Sequence, residues 1–325
     1  MLNDTIFKKD KKISFIHCIE KKSSHRFEEE SRIYLNSLKR TNSKLIDEID
    51  IHFLQPTHND ISKDCVKNIV SYGATYTKIG DLSNKQKNTE VNYTNKCVTA
   101  EWFSENLKTE YMCWLDLDVL FLQNIDSDFF KSTDKIVLTL YDTDSKYWKE
   151  FDPNGLYSYY KDYLPEMYRV ESVKKYVSSW FIYGKTKNKF WKEWKKLTYI
   201  LLDIVHENYY DKFNSDGLEM KWLESNCEEM ASMIMYTKNP ELFIDIREFY
   251  GNNALSFIEA NIDNDQTLRC SENTVIYHYN NMAGLLQNDL PKYEYKKTAI
   301  KSILSVLDAH EIPDLTVKDI FLLGK

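Results

Sequence analysis

No stretch of these 325 residues approaches the roughly 20 consecutive apolar residues needed to cross a bilayer, which argues against a spanning segment. The amino terminus, Met1 to Asp10, lacks the apolar core of a signal peptide; the first hydrophobic run, Ile13 to Ile19, is short and contains His17. Positive charge is also scarce: 43 lysines and arginines against 50 aspartates and glutamates leave a net charge of −7. Nucleic-acid binding needs a basic footprint to neutralise phosphates, so no nucleic-acid partner is expected. The six cysteines, Cys18, Cys65, Cys97, Cys113, Cys227 and Cys270, form no C-x-x-C pair and no zinc-type spacing. They read as free thiols in a reducing compartment, and with the missing leader this predicts a cytoplasmic protein. Asn92-Tyr93-Thr94 matches a glycosylation triplet, which carries little weight without a leader. Internal repeats and low-complexity linkers are absent from the sequence.

What is present describes a soluble globular chain, with 42% hydrophobic and 29% charged residues. Its length suits one continuous domain with elaborations, here 1–325, made of a first half over 10–125, a second over 126–285 and a helical tail over 286–325. Strand-like and helix-like patterns alternate in the first 120 residues, the pattern of an α/β unit with a largely parallel sheet. Strands are expected at Ile13–Cys18, Ile49–Leu54, Ala74–Ile79 and Tyr111–Leu115. Between them fall helices over 26–45, from a cap at Asn59 or Asp60 to Tyr72 with Gly73 behind it, and over 94–107.

The later part predicts a strand at Ile136–Leu140, an irregular tyrosine-rich stretch over 141–168, a strand at Tyr176–Tyr183 and a helix over 188–206. A helix capped by Ser215 or Asp216 is expected to end near Asn226, and a second to run from Glu228 to Tyr236 before Asn239-Pro240. Late strands are expected at Leu242–Ile246 and Val275–Tyr279. Lys185 to Lys196 is locally basic and sets Trp191 and Trp194 three apart on a helix. It reads first as a core-packed aromatic stripe with a solvated basic back. Peripheral contact with an anionic membrane is the other reading.

The segment from Tyr111 to Leu122 carries the chemistry: Asp116 and Asp118 stand two residues apart inside an otherwise apolar run. Side chains at i and i+2 of an extended segment leave on the same face, so the two carboxylates converge. At about 4 Å and an effective dielectric near 20 they would repel by roughly 4 kcal/mol. A hard divalent ion with oxygen ligands, Mn²⁺ or Mg²⁺, is the simplest remedy. The pair also sits at the carboxyl end of a strand, where open α/β sheets bind ligands.

The Leu115-Asp116-Leu117-Asp118-Val119-Leu120-Phe121 core, preceded by a βαβαβ half and a helix bearing Asn95-Lys96, resembles the nucleotide-sugar glycosyltransferases of the A fold. Val275-Ile-Tyr-His278-Tyr resembles their late strand with a metal-binding histidine, and Glu228-Glu229-Met-Ala resembles the acidic segment facing the acceptor. Ser178-Ser-Trp-Phe-Ile-Tyr-Gly184 resembles the strand beneath the donor sugar. The chain departs from families that follow the late histidine with a glycine and Lys-Pro-Trp, since here Tyr279-Asn-Asn-Met-Ala-Gly284 follows.

The resemblance implies a Rossmann-like α/β fold, with a mixed central sheet flanked by helices, a nucleotide-sugar-binding first half and an acceptor-binding second half. It implies Mn²⁺ or Mg²⁺ held by Asp116, Asp118 and His278, with Asp118 the direct ligand. Donor contacts would come from Asp116, Lys96, Asn95 and His17, the donor being a UDP- or GDP-sugar and the acceptor a hydroxyl of a glycan or glycoconjugate. Should the attack need a base, Glu229, Glu228 and Asp216 are the candidates. Adjacent helical residues point about 100° apart, so one of the two glutamates should face the site; the choice leans to Glu229. Aromatics at 147, 148, 157, 159 and 160 fall where an acceptor loop is expected. Two other readings use the same pair: a phosphatase of the haloacid-dehalogenase kind, with the first aspartate as nucleophile, or an inactive sugar-binding scaffold.

Overall fold

The computed structural model describes residues 11–21, 26–41, 43–80, 82, 94–121, 124–143, 152–214, 217–250, 255–257 and 275–278. Strands β1 (Ile13–Cys18), β2 (Asp50–Gln55), β3 (Thr75–Lys78), β4 (Tyr111–Leu115), β5 (Val119–Phe121), β6 (Ile136–Asp142), β7 (Lys175–Lys185), β8 (Phe243–Asp245), β9 (Leu255–Phe257) and β10 (Ile276–His278) form two sheets. Seven of them make the central sheet, in the order β3-β2-β1-β4-β7-β6-β8. All run the same way except β7, which is antiparallel to β4 and β6. The fold is therefore mixed α/β, with a mostly parallel sheet flanked by helices. A smaller sheet pairs β5 antiparallel with β10, and β10 parallel with β9.

Helices α1 (Arg26–Thr41), α2 (Ser43–Glu48), α3 (Lys63–Ser71), α4 (Asn95–Asn106), α5 (Pro153–Lys161), α6 (Phe190–Asn208), α7 (Met220–Lys238) and α8 (Ile246–Tyr250) complete the layers. The central strands are buried on both faces, which is why they read as nearly continuous apolar runs. Their alternation sorts side chains between two cores. From β4, Met112 and Trp114 join a core with residues of α4, α5, α6 and α7, whereas Tyr111, Cys113 and Leu115 join the opposite one with residues of α1, α2 and α3. Trp191 and Trp194 are fully buried in the first core, so the basic stretch does carry a packed aromatic stripe.

Several boundaries differ from the sequence expectation. The first helical stretch reaches Glu48, three residues past the expected end, as α1 and α2 on either side of Asn42, which lies outside the described residues. The cap of α3 is Ser62, whose hydroxyl accepts from the Cys65 N–H, and not Asn59 or Asp60; Asp60 is instead held by Gln55 and Lys78. Gly73, at φ 78°, follows the helix end as expected. The stretch over 141–168 contains α5, capped by Asp152 with Pro153 in its first turn. The two helices expected between 215 and 236 are one, α7, which runs through Asn226 without a break. Ser215, Asp216, Tyr147, Trp148, Cys270, Tyr279 and the tail over 286–325 lie outside the described residues. No described helix is long and apolar enough to cross a membrane.

Candidate metal and donor site

At Asp116 the chain leaves the large sheet, and at Val119 it enters the small one, so the acid pair occupies the junction of the two. The Asp116 N–H still donates to the Trp180 carbonyl at 2.8 Å, prolonging the β4–β7 pairing by one residue. Being two residues beyond Trp114, Asp116 is directed to the α4, α6 and α7 side of the sheet. There its Oδ1 accepts from the Trp114 indole N–H at 2.9 Å, and its Oδ2 lies 2.8 Å from the Lys96 ammonium. Both oxygens are thus oriented before any ligand arrives.

Asp118 is buried at the mouth of β5, and its Oδ1 lies 3.2 Å from His278 Nε2. The two meet because β10 pairs with β5 in a register that sets His278 opposite Val119. The His278 ring lies flat on Trp180, with centroids 5.0 Å apart and planes within 7°. One donor atom each from Asp116, Asp118 and His278 lies within 4.8 Å of the others. Two carboxylates and an imidazole form a hard, mixed oxygen and nitrogen set, which fits Mn²⁺ and tolerates Mg²⁺. The i, i+2 convergence expected of the pair is present.

Lys96, on the first turn of α4, is the hub of the neighbouring network. Besides Asp116 it donates to Ser179 Oγ at 3.2 Å and lies 3.5 Å from Glu228 Oε1. Ser179 in turn donates to the same Glu228 oxygen at 2.7 Å. Burial opposes the charge on Lys96, but Asp116 and then Glu228 outweigh it and raise its pKa above the ordinary lysine value. A lone lysine at this point of a sequence suggests a solvated side chain; here it is largely buried and paired.

Glu228 is buried, and burial pushes its carboxyl up to about 8, against the pull of Lys96. Its Oε2 has no hydrogen-bond partner among the described residues. Glu229 is half-buried, accepts from the Tyr176 hydroxyl at 2.5 Å and is also raised by burial. The two glutamates therefore divide their roles: Glu228 locks into the Lys96 network, and Glu229 keeps the exposure a substrate would need.

Asn95 is buried beside Lys96, and neither amide atom has a partner among the described residues. His17 does not join the group. It is fully buried, shares its Nδ1 hydrogen with the Leu115 carbonyl at 2.9 Å, and packs against Tyr34 and Phe53. Burial lowers its pKa to about 3, so it stays neutral and supports the end of β4 from behind. Tyr157 and Tyr160 are likewise core residues of α5 and offer nothing to an acceptor. Trp114 and Tyr176 are contributors that motif reading missed, and Ser179 and Trp180 were singled out only as part of the strand resembling the one beneath a donor sugar. The Ser178-Ser-Trp-Phe run held the only signal, a small polar residue and a tryptophan alternating in a buried strand.

Chemically, the cluster can hold a divalent ion beside a fixed ammonium. Asp116, with both oxygens already engaged, suits the orientation of a ligand better than nucleophilic attack on phosphorus. Compared with protein-family models and with curated proteins, the chain matches none.

Proposed function

We propose that the protein is a metal-dependent glycosyltransferase of the A fold, moving a sugar from a nucleoside-diphosphate donor, a UDP- or GDP-sugar, to a hydroxyl of a glycan or glycoconjugate. The observation that carries this reading is the convergence of Asp116, Asp118 and His278 at the carboxyl end of β4, with Lys96 alongside. Asp118 and His278 would hold Mn²⁺ or Mg²⁺, with Asp116 completing or orienting the set. The chemistry such an ion supplies is neutralisation of the charge that gathers on the departing diphosphate.

The chain's own residues would do the rest. Lys96 holds Asp116 in position and would add positive potential near the phosphates. Glu229, hydrogen-bonded by Tyr176, would accept the acceptor's proton. The test is to incubate the protein with a panel of nucleotide sugars and Mn²⁺, and follow release of nucleoside diphosphate. Release from one donor that disappears on chelation supports the proposal; no release from any donor, with or without candidate acceptors, favours the inactive scaffold.

A further inference from the structure

The opposite end of the sheet has the contrary charge. Lys12 precedes β1, Lys108 precedes β4, and Lys131 and Lys135 precede β6. Because β7 runs backwards, its carboxyl end reaches the same place, bringing Lys185, Lys187 and Lys189, and Lys192 follows in the first turn of α6. The turns are physically joined. Thr186 N–H donates to the Glu110 carbonyl at 2.9 Å, Tyr111 N–H to the Lys12 carbonyl at 2.9 Å, and the Tyr183 hydroxyl to the Lys131 carbonyl at 3.1 Å.

Against these eight lysines stand Glu105, Glu110, Asp134 and Glu193, so the end is positive in a chain of net charge −7. Lys185 pairs with Asp134 and Lys187 caps the carbonyls of Ser104 and Glu105. Lys108, Lys135, Lys189 and Lys192 are exposed and make no ion pair among the described residues. At the start of β2 next door, Lys44 pairs with Glu48 and Lys11 with Asp50, while Asp47 is exposed.

We propose that this end of the sheet is a docking surface for an anionic lipid bilayer. Charge complementarity is the argument, together with the kind of charge. No arginine stands in these turns, and no exposed aromatic interleaves them, as base stacking or bidentate phosphate recognition would require. A set of lysines on short turns is the pattern that responds to the diffuse negative potential of a lipid surface. The basic stretch from Lys185 to Lys196 accounts for only part of it; the sheet adds lysines from three other points in the chain. Docking this way would leave Asp116, Asp118 and Glu228 at the far end of β4, roughly 17 Å off for five residues, facing away from the membrane. The inference does not depend on the proposed sugar transfer.

The test is flotation of the full-length protein with vesicles of phosphatidylcholine alone or with phosphatidylserine added. The protein should float with the anionic vesicles at low salt, stay behind with the neutral ones, and be released at high salt. The combined variant Lys108→Glu, Lys135→Glu, Lys189→Glu, Lys192→Glu should bind about a hundredfold or more weaker. The corresponding four-glutamine variant should show a smaller loss, and Asp118→Asn none. Failure of the wild type to float with anionic vesicles, a four-glutamate variant that floats as well as wild type, or binding of single-stranded RNA in place of vesicles would each overturn the proposal.

Discussion

The Lys96 ammonium sits 2.8 Å from Asp116 and 3.5 Å from Glu228, so one largely buried cation serves a partly buried carboxyl and a fully buried one. It has charge for only one of them. Asp116 takes the ion pair, and Glu228 keeps its proton until the pH rises to about 8. This division sets how the site responds to substitution and to pH.

Lys96→Met should leave Asp116 without its counter-charge. Removing one partner of a buried pair costs about 3 kcal/mol. Urea unfolding near neutral pH should record a loss of that order, and Mn²⁺ should recover part of it by replacing the missing positive charge. A variant as stable as wild type would mean that the pair contributes nothing.

The pH dependence of stability follows from Glu228. Its folded pKa, about 8, lies above the ordinary 4.5, so the folded state holds a proton that the unfolded state has lost. Stability linked to this group is therefore fully present below about pH 4.5 and declines as pH rises towards 8. Glu228→Gln removes the titration. Its melting temperature should fall less than that of the wild type between pH 5 and 8, and parallel curves would contradict the assignment.

Trp114→Phe removes the indole N–H that bonds Asp116 and replaces a bicyclic ring by a smaller one at a buried position. A loss of at least about 1.5 kcal/mol in stability is expected, from the lost hydrogen bond and the space left in the core. Calorimetric titration should also show weaker Mn²⁺ binding, because Oδ1 is no longer held in place.

The fold was legible where one physical signal dominated. β1, β4 and β7 are apolar enough to be read directly, and the two-residue spacing of Asp116 and Asp118 pointed to their convergence, although the pair lies in the bend between β4 and β5 and not in a strand. α5 was hidden by its tyrosines, although Asp152-Pro153 marks its start. α7 was divided at Asn226 because that residue interrupts the apolar pattern, yet no glycine or proline breaks the helix. His17 could be assigned to the donor only by its position near a strand end; its face, shared with Phe15, takes it into the core. The contact of Lys96 with Asp116 depends on how α4 packs on the sheet, which no local pattern encodes. Ser179 and Tyr176 meet the two glutamates for the same reason.

The central claim is that the twin aspartates and His278 hold an ion for a nucleotide sugar, and a thermal-shift matrix tests it most directly. Melting is followed with Mn²⁺, with each UDP- and GDP-sugar, and with both together, for the wild type and for Asp118→Ala. The account predicts a rise for one nucleotide sugar that requires Mn²⁺ and vanishes in the variant, since a ligand that binds the folded state raises its apparent stability. A nucleotide-sugar shift of equal size without metal, or one that persists in Asp118→Ala, would contradict it.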